Sequence, residues 1–218
     1  MTSRTTSAMG VRRAALGVLA FILITPSAAQ DAPPAPEPAS GDAPAIDEVV
    51  VPGGSAAGSS GRVAVNIAAG DTNQQLGSAV IAIGDIAAIT ETAHQRMTAG
   101  APDDHATSIT VEDGAFSGLN GLTSINITAG TQNQMANLAA LAIGNSGAMS
   151  DQLLEQSRAP IEPNGGTPDG SLPANDRIAI GDTAFGDGNG LIQVNLIGGE
   201  GNSSANTFAL SIAGEGSP

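Results

Sequence analysis

The chain has 218 residues, no cysteine, tyrosine or tryptophan, four phenylalanines, and a formal net charge of −14. The composition excludes a disulfide framework and argues against a core built on large aromatic anchors. So acidic a surface also repels nucleic acid and anionic lipid headgroups.

Residues 1–29 read as a secretory signal peptide. Arg4, Arg12 and Arg13 precede the apolar run "AALGVLAFILI", and Ser27 and Ala29 stand at the −3 and −1 positions of a cleavage site before Gln30. The run is too short for the roughly 20 residues of a membrane span, so no membrane insertion is expected. Removing three arginines and no acid takes the net charge from −14 to −17. Residues 30–48, "QDAPPAPEPASGDAPAIDE", are rich in Pro, Ala and acid and read as a disordered tether.

Beyond the tether a single unit occurs three times, as Val49–Gly84 (49–84), Ile109–Gly144 (109–144) and Ile178–Ala213 (178–213), each 36 residues long. Five columns are identical in all copies: Gly61/Gly121/Gly190, Asn66/Asn126/Asn195, Gly70/Gly130/Gly199, Asn73/Asn133/Asn202 and Ile83/Ile143/Ile212. Low complexity aligns glycine by accident far more readily than two asparagine columns at one fixed spacing. Each copy is read as three strands. The first is "VVV", "ITV" or "IAI". The second has an apolar face of Val65 and Ile67, Ile125 and Ile127, or Val194 and Leu196, with Asn66, Asn126 and Asn195 on the opposite face by the period of two. The third carries Ile81 and Ile83, Leu141 and Ile143, or Leu210 and Ile212. Met135, Leu138 and Leu141 also fit helical spacing, but the third copy, "NSSANTFALSI", is poor in helix formers and favours strand. Between the second and third strands, Gly-x-x-Asn reads as a turn, where glycine takes positive φ and asparagine bonds its own backbone.

One 36-residue copy cannot bury its own apolar face, whereas stacked copies bury a continuous one. The expected fold is therefore all-β, a repeat β-solenoid or cross-β stack of three modules. Identical side chains then lie about 4.8 Å apart, and an asparagine column becomes a ladder of amide bonds. The 85–108 and 145–177 segments are expected as linkers, disordered or partly helical, with a short helix over "SDQLLEQSRA" capped by Ser150. Residues 214–218 are a short tail.

The motifs "NIAAGDTNQQ" and "NITAGTQNQM", with their spacing to "AIG" and the layout of signal peptide, three repeats and two unlike linkers, resemble the Fap-type functional amyloids of bacterial biofilms. More distantly they resemble curlin, whose repeats are shorter. The resemblance implies a secreted fibre subunit or nucleator, self-association into fibres with related repeat subunits, and passage through an outer-membrane export pore. Those subunits typically carry a Cys-x-x-Cys near the C-terminus, which this chain lacks. A monomeric β-solenoid adhesin is the alternative reading. No cofactor and no enzymatic activity are expected. The two histidines, His94 and His105, lie in one linker with Asp103 and Asp104, and the acid after the turn glycine (Asp71, Thr131, Glu200) does not persist as calcium repeats require.

Overall fold

The structure, a computed structural model, describes residues 46–98, 106–158 and 176–214. The expected signal peptide and most of the tether lie outside the described residues, as do 99–105, including His105, and the "PNGGTPDGSLPAN" stretch.

Nine strands are present among the described residues: β1 (Ile46–Val51), β2 (Ser60–Ala69), β3 (Gln74–Met97), β4 (Ala106–Val111), β5 (Asn120–Ala129), β6 (Gln134–Arg158), β7 (Arg177–Ile180), β8 (Asn189–Gly198) and β9 (Ser203–Ala213). They form three parallel sheets in the orders β1-β4-β7, β2-β5-β8 and β3-β6-β9. Each turn of the chain therefore lays down one rung: β1–β3, then β4–β6, then β7–β9. The register sets Asn66 beside Asn126 and Asn126 beside Asn195, so the sequence repeat is the hydrogen-bonding repeat.

Two interfaces hold a rung together. The first and second sheets pack on an apolar core of Val49, Val51, Ile109, Val111, Ile125 and Ile127. Phe116 and Leu119, from the loop between β4 and β5, complete it. The Phe116 and Phe185 rings stack at 5.3 Å and 14°, while the matching position in the first rung is the small Ala56. All three residues have positive φ, so the same loop bend recurs at a conformation that bulky side chains seldom adopt. The second interface lies between the second and third sheets, which are joined by the turns at Gly70, Gly130 and Gly199.

β3 and β6 then double back. The register of their pairing shifts between Gly84 and Ile86, and a Cβ on Gly144 would overlap the Gly147 carbonyl oxygen. Past this bend Ala87 and Ile89 pack on Val80, Ala140 and Ala142. Gln95 Nε2 donates to the Met135 carbonyl at 3.0 Å, and Gln134 Nε2 to the Ser157 carbonyl at 3.1 Å.

This corrects the expectation for the linkers. Residues 86–97 pair in register with 147–158 as extended chain, and the helix expected after Ser150 is strand. Alternate residues of this stretch, Ala87, Ile89, Glu91, Ala93, Gln95 and Met97, are buried. Ladder bonds along two rungs outweigh the helical propensity of Leu153, Leu154 and Glu155, a bias of tenths of a kcal/mol per residue. No helix among the described residues is long and apolar enough to cross a membrane.

Hydrogen exchange on the folded chain is expected to protect the amides around Ile89 and Leu154 as well as those around Ile127. The two-rung layer should open before the three-rung sheets. Exchange of 86–97 at unprotected rates would contradict the doubled-back strand.

Candidate assembly interface

The interface between the second and third sheets is polar, and its polar groups bond along the stack. Asn126 Nδ2 donates to Asn66 Oδ1 at 2.9 Å. Asn195 Nδ2 donates to Asn126 Oδ1 at 3.0 Å. Asn126 is 0 % exposed and Asn195 5 %, where an unpaired amide would cost about 1–3 kcal/mol. The remaining donor capacity goes to the facing sheet, to the Leu76 carbonyl for Asn126 and to the Ala136 carbonyl and Asn137 Oδ1 for Asn195.

A second asparagine column, not evident in the sequence, faces the first. Asn137 Nδ2 donates to Asn126 Oδ1 at 3.0 Å, and Asn206 Nδ2 to Asn137 Oδ1 at 3.0 Å. Its first-rung member is Gly77, so identity across three copies does not find it. The Arg62 guanidinium lies near the space a Gly77 side chain would enter. Burial pulls the Arg62 pKa below its ordinary value, against the opposing pull of the Glu91 carboxylate.

The turn asparagines also reach between rungs. Asn73 Nδ2 donates to the Gly130 carbonyl at 2.8 Å, and Asn73 Oδ1 accepts the Asn133 N–H at 3.0 Å. Asn133 repeats both bonds to Gly199 and Asn202, at 2.8 and 2.9 Å. Gly70, Gly130 and Gly199 have φ of 87°, 111° and 90°. A Cβ on Gly70 would strike the Gly130 carbonyl, and one on Gly130 the Gly199 carbonyl. Gly61, Gly121 and Gly190 form a like column, with φ of 91°, 117° and 107°, where a Cβ on Gly121 or Gly190 would overlap the carbonyl of the rung before.

The apolar positions divide. Ile125 and Ile127 are 0 % exposed, and Val65, Ile67, Val194 and Leu196 pack against the same core. Ile81, Leu141 and Leu210 stack in register, as do Ile83, Ile143 and Ile212, on the face that carries Gly77, Asn137 and Asn206 but further along the strand, beyond the asparagine columns. Ile83 is 75 % exposed and Ile212 46 %. The opposite face of the third sheet, packed on the doubled-back layer, is made by small residues such as Ser78, Val80, Ala140 and Ala142.

Glutamine ladders line the doubled-back layer. Gln156 Nε2 donates to Gln95 Oε1 and Gln152 Nε2 to Glu91 Oε2, both at 2.7 Å. Glu91 is 4 % exposed, and its Oε1 has no hydrogen-bond partner among the described residues. Glu91→Gln keeps an oxygen for Gln152 and removes a buried charge. It is expected to stabilise the fold by about 1–3 kcal/mol, read as a higher denaturant midpoint with unchanged m-value. A lower midpoint would show that the carboxylate is held by charge. His94 Nδ1 meets Glu155 Oε2 at 3.0 Å on the exposed surface. Among the described residues no three His, Asp or Glu side chains gather as a metal site.

The sequence model of the functional amyloid protein FapB/FapC family matches residues 28–213. The chain belongs to that family. No solved structure matches it. The family is one of structural amyloid proteins rather than enzymes. In this FapB/FapC chain, all three rungs and the doubled-back layer lie inside the matched span.

Proposed function

We propose that the chain is a secreted subunit or nucleator of an extracellular amyloid fibre in a biofilm matrix, exported through an outer-membrane pore and assembling with copies of itself and related repeat subunits. The observation that carries this reading is the open stack. The first rung (β1, β2, β3) and the third (β7, β8, β9) each end the sheets on one side, and a parallel sheet edge is a template for further strands. The asparagine columns then act as register devices, because a slipped strand breaks every amide bond at once. The basic, apolar and small-residue regions before Gln30 support export.

The purified 30–218 chain is expected to form thioflavin-positive fibres with a meridional reflection near 4.8 Å. Assembly should be slow at low ionic strength and faster at about 0.15 M salt, where the Debye length falls to about 8 Å. The adhesin alternative is favoured by the charge of −17 on that chain. A chain that stays monomeric for weeks under screened conditions would decide for it.

A further inference from the structure

We infer that the third-rung end of one copy docks on the first-rung end of a second copy, head to tail, with Asn202 as the clasp between molecules. This rests on the fibre reading above and specifies how copies meet.

The same clasp closes twice inside the molecule. Asn73 grips the backbone of the next turn through the Gly130 carbonyl and the Asn133 N–H, and Asn133 grips Gly199 and Asn202 in the same way. Asn202 is the third of the series and ends the described stack. Its side chain is exposed and makes one long bond, 3.3 Å, to Gly198 of its own rung. The matching socket on the first rung is the Gly70 carbonyl and the Asn73 N–H, which by the same register face away from the second rung. An added copy presents that socket to Asn202 at the spacing both inner clasps already use.

The amide ladders give the contact a direction. Asn195 donates to Asn126 and Asn126 to Asn66. Asn206 donates to Asn137 and Gln134 to Gln74. All run from the later rung to the earlier one. In the Asn66 column the first rung turns an amide donor outward, and the acceptor at the third rung is the Asn195 Oδ1, which takes Asn206 Nδ2 at 3.0 Å and Ser204 Oγ at 2.8 Å and would exchange the serine bond for the incoming amide. Head-to-tail docking meets donor with acceptor, while joining two first-rung ends sets donor on donor and joining two third-rung ends sets acceptor on acceptor.

Charge adds one attraction and two repulsions. Glu48, Ser108 and Arg177 share a column, so Arg177 meets the next copy's Glu48. Continuing the repeats sets Asp176 against Asp47 and Glu200 against Asp71 of the next copy. The junction is therefore where added salt assists most.

Two variants block one end each at exposed positions. Asn120 N–H bonds to the Ser59 carbonyl, so by strand alternation the N–H groups of Ala64 and Asn66 point out of the first rung. Gly214 N–H bonds to the Gly144 carbonyl, so that of Ala205 points out of the third. Ala64→Pro with Asn66→Asp closes the first-rung end and keeps an oxygen for Asn126. Asn202→Asp with Ala205→Pro closes the third-rung end. Each variant alone is expected to remain monomeric by sedimentation, and a 1:1 mixture to stop at a dimer. Either variant pairing with itself would overturn the head-to-tail contact. The gentler Asn202→Ala guards against misfolding. It should slow elongation of wild-type seeds roughly tenfold to thirtyfold, the worth of two hydrogen bonds, with its monomer denaturation midpoint unchanged. The control Asn189→Ala, exposed at the same end, should elongate normally. Elongation of Asn202→Ala at the wild-type rate would overturn the clasp. If wild-type chains never elongate, the fibre reading itself fails. If they elongate while the blocked variants self-pair, only the docking geometry does.

Discussion

A chain carrying Asn66→Asp, Asn126→Asp and Asn195→Asp together is expected to form no fibres where the wild type does. Asn126 is fully buried and donates to Asn66 and to the Leu76 carbonyl, so a carboxylate there loses two bonds and turns charge toward two acceptors. Its neighbour Asn195 donates to it at 3.0 Å, and in the variant both groups are anionic. At an effective dielectric of about 20, two charges one rung apart repel by roughly 3–4 kcal/mol, a large share of a small domain's stability. The control Thr98→Asp, Asn145→Asp and Asn189→Asp adds the same charge at exposed positions that do not pair with one another and should assemble, with only a longer lag. Thioflavin kinetics and fibre diffraction read both. Matching kinetics for the two triple variants would show that the ladder is not what holds the rungs in register.

The second large effect is expected from Gly130→Ala. The backbone there has φ of 111°, a region essentially closed to residues with a Cβ. The added carbon would also meet the Gly199 carbonyl of the next rung, and backbone cannot swing aside as a side chain tip does. Strain and overlap together should cost on the order of 3 kcal/mol or more, seen as a lower denaturation midpoint. Gly147→Ala is the comparison, because a Cβ there meets nothing within 4 Å and its φ is not positive. That change should be nearly silent. Equal losses at the two positions would mean that the turn relaxes around the new carbon.

The repeat was legible because in a stacked fold the sequence offset is the strand register. Offsets of 60 and 69 residues between copies reappear as Asn66↔Asn126 and Asn126↔Asn195. The inward turn of Val65, Ile67, Ile125 and Ile127 was legible for the ordinary reason of alternation. The third strand misled because its bulk lies on the wrong side. Ile81 and Ile83 look like the core face, yet they lie exposed beyond the asparagine columns on the face of Gly77, while the doubled-back layer packs on small residues such as Val80 and Ala82. The doubled-back layer went unread because it exists in two rungs and is not an identity column. Pairs such as Ile89↔Ser150 and Ala93↔Leu154 share a shape of chain rather than a residue. The Gly77, Asn137 and Asn206 column failed the same test at one position, where Arg62 lies close by.

The three rungs are similar in backbone and unlike in side chains, and this difference bears on how so acidic a protein stacks at all. In an amyloid that contributes one layer per chain, every carboxylate would sit about 4.8 Å from its own copy along the whole fibre. Here a given side chain recurs only at every third rung, about 14 Å away by that spacing and well beyond the Debye length of about 8 Å in physiological salt. Within the sheets no register pair among the described residues sets two carboxylates side by side. Glu48 lies beside Ser108, Asp151 beside Thr90, Glu91 beside Gln152 and Glu155 beside His94. The imperfection of the repeats thus works as charge dilution, and a more regular sequence of the same composition would be a poorer fibre former.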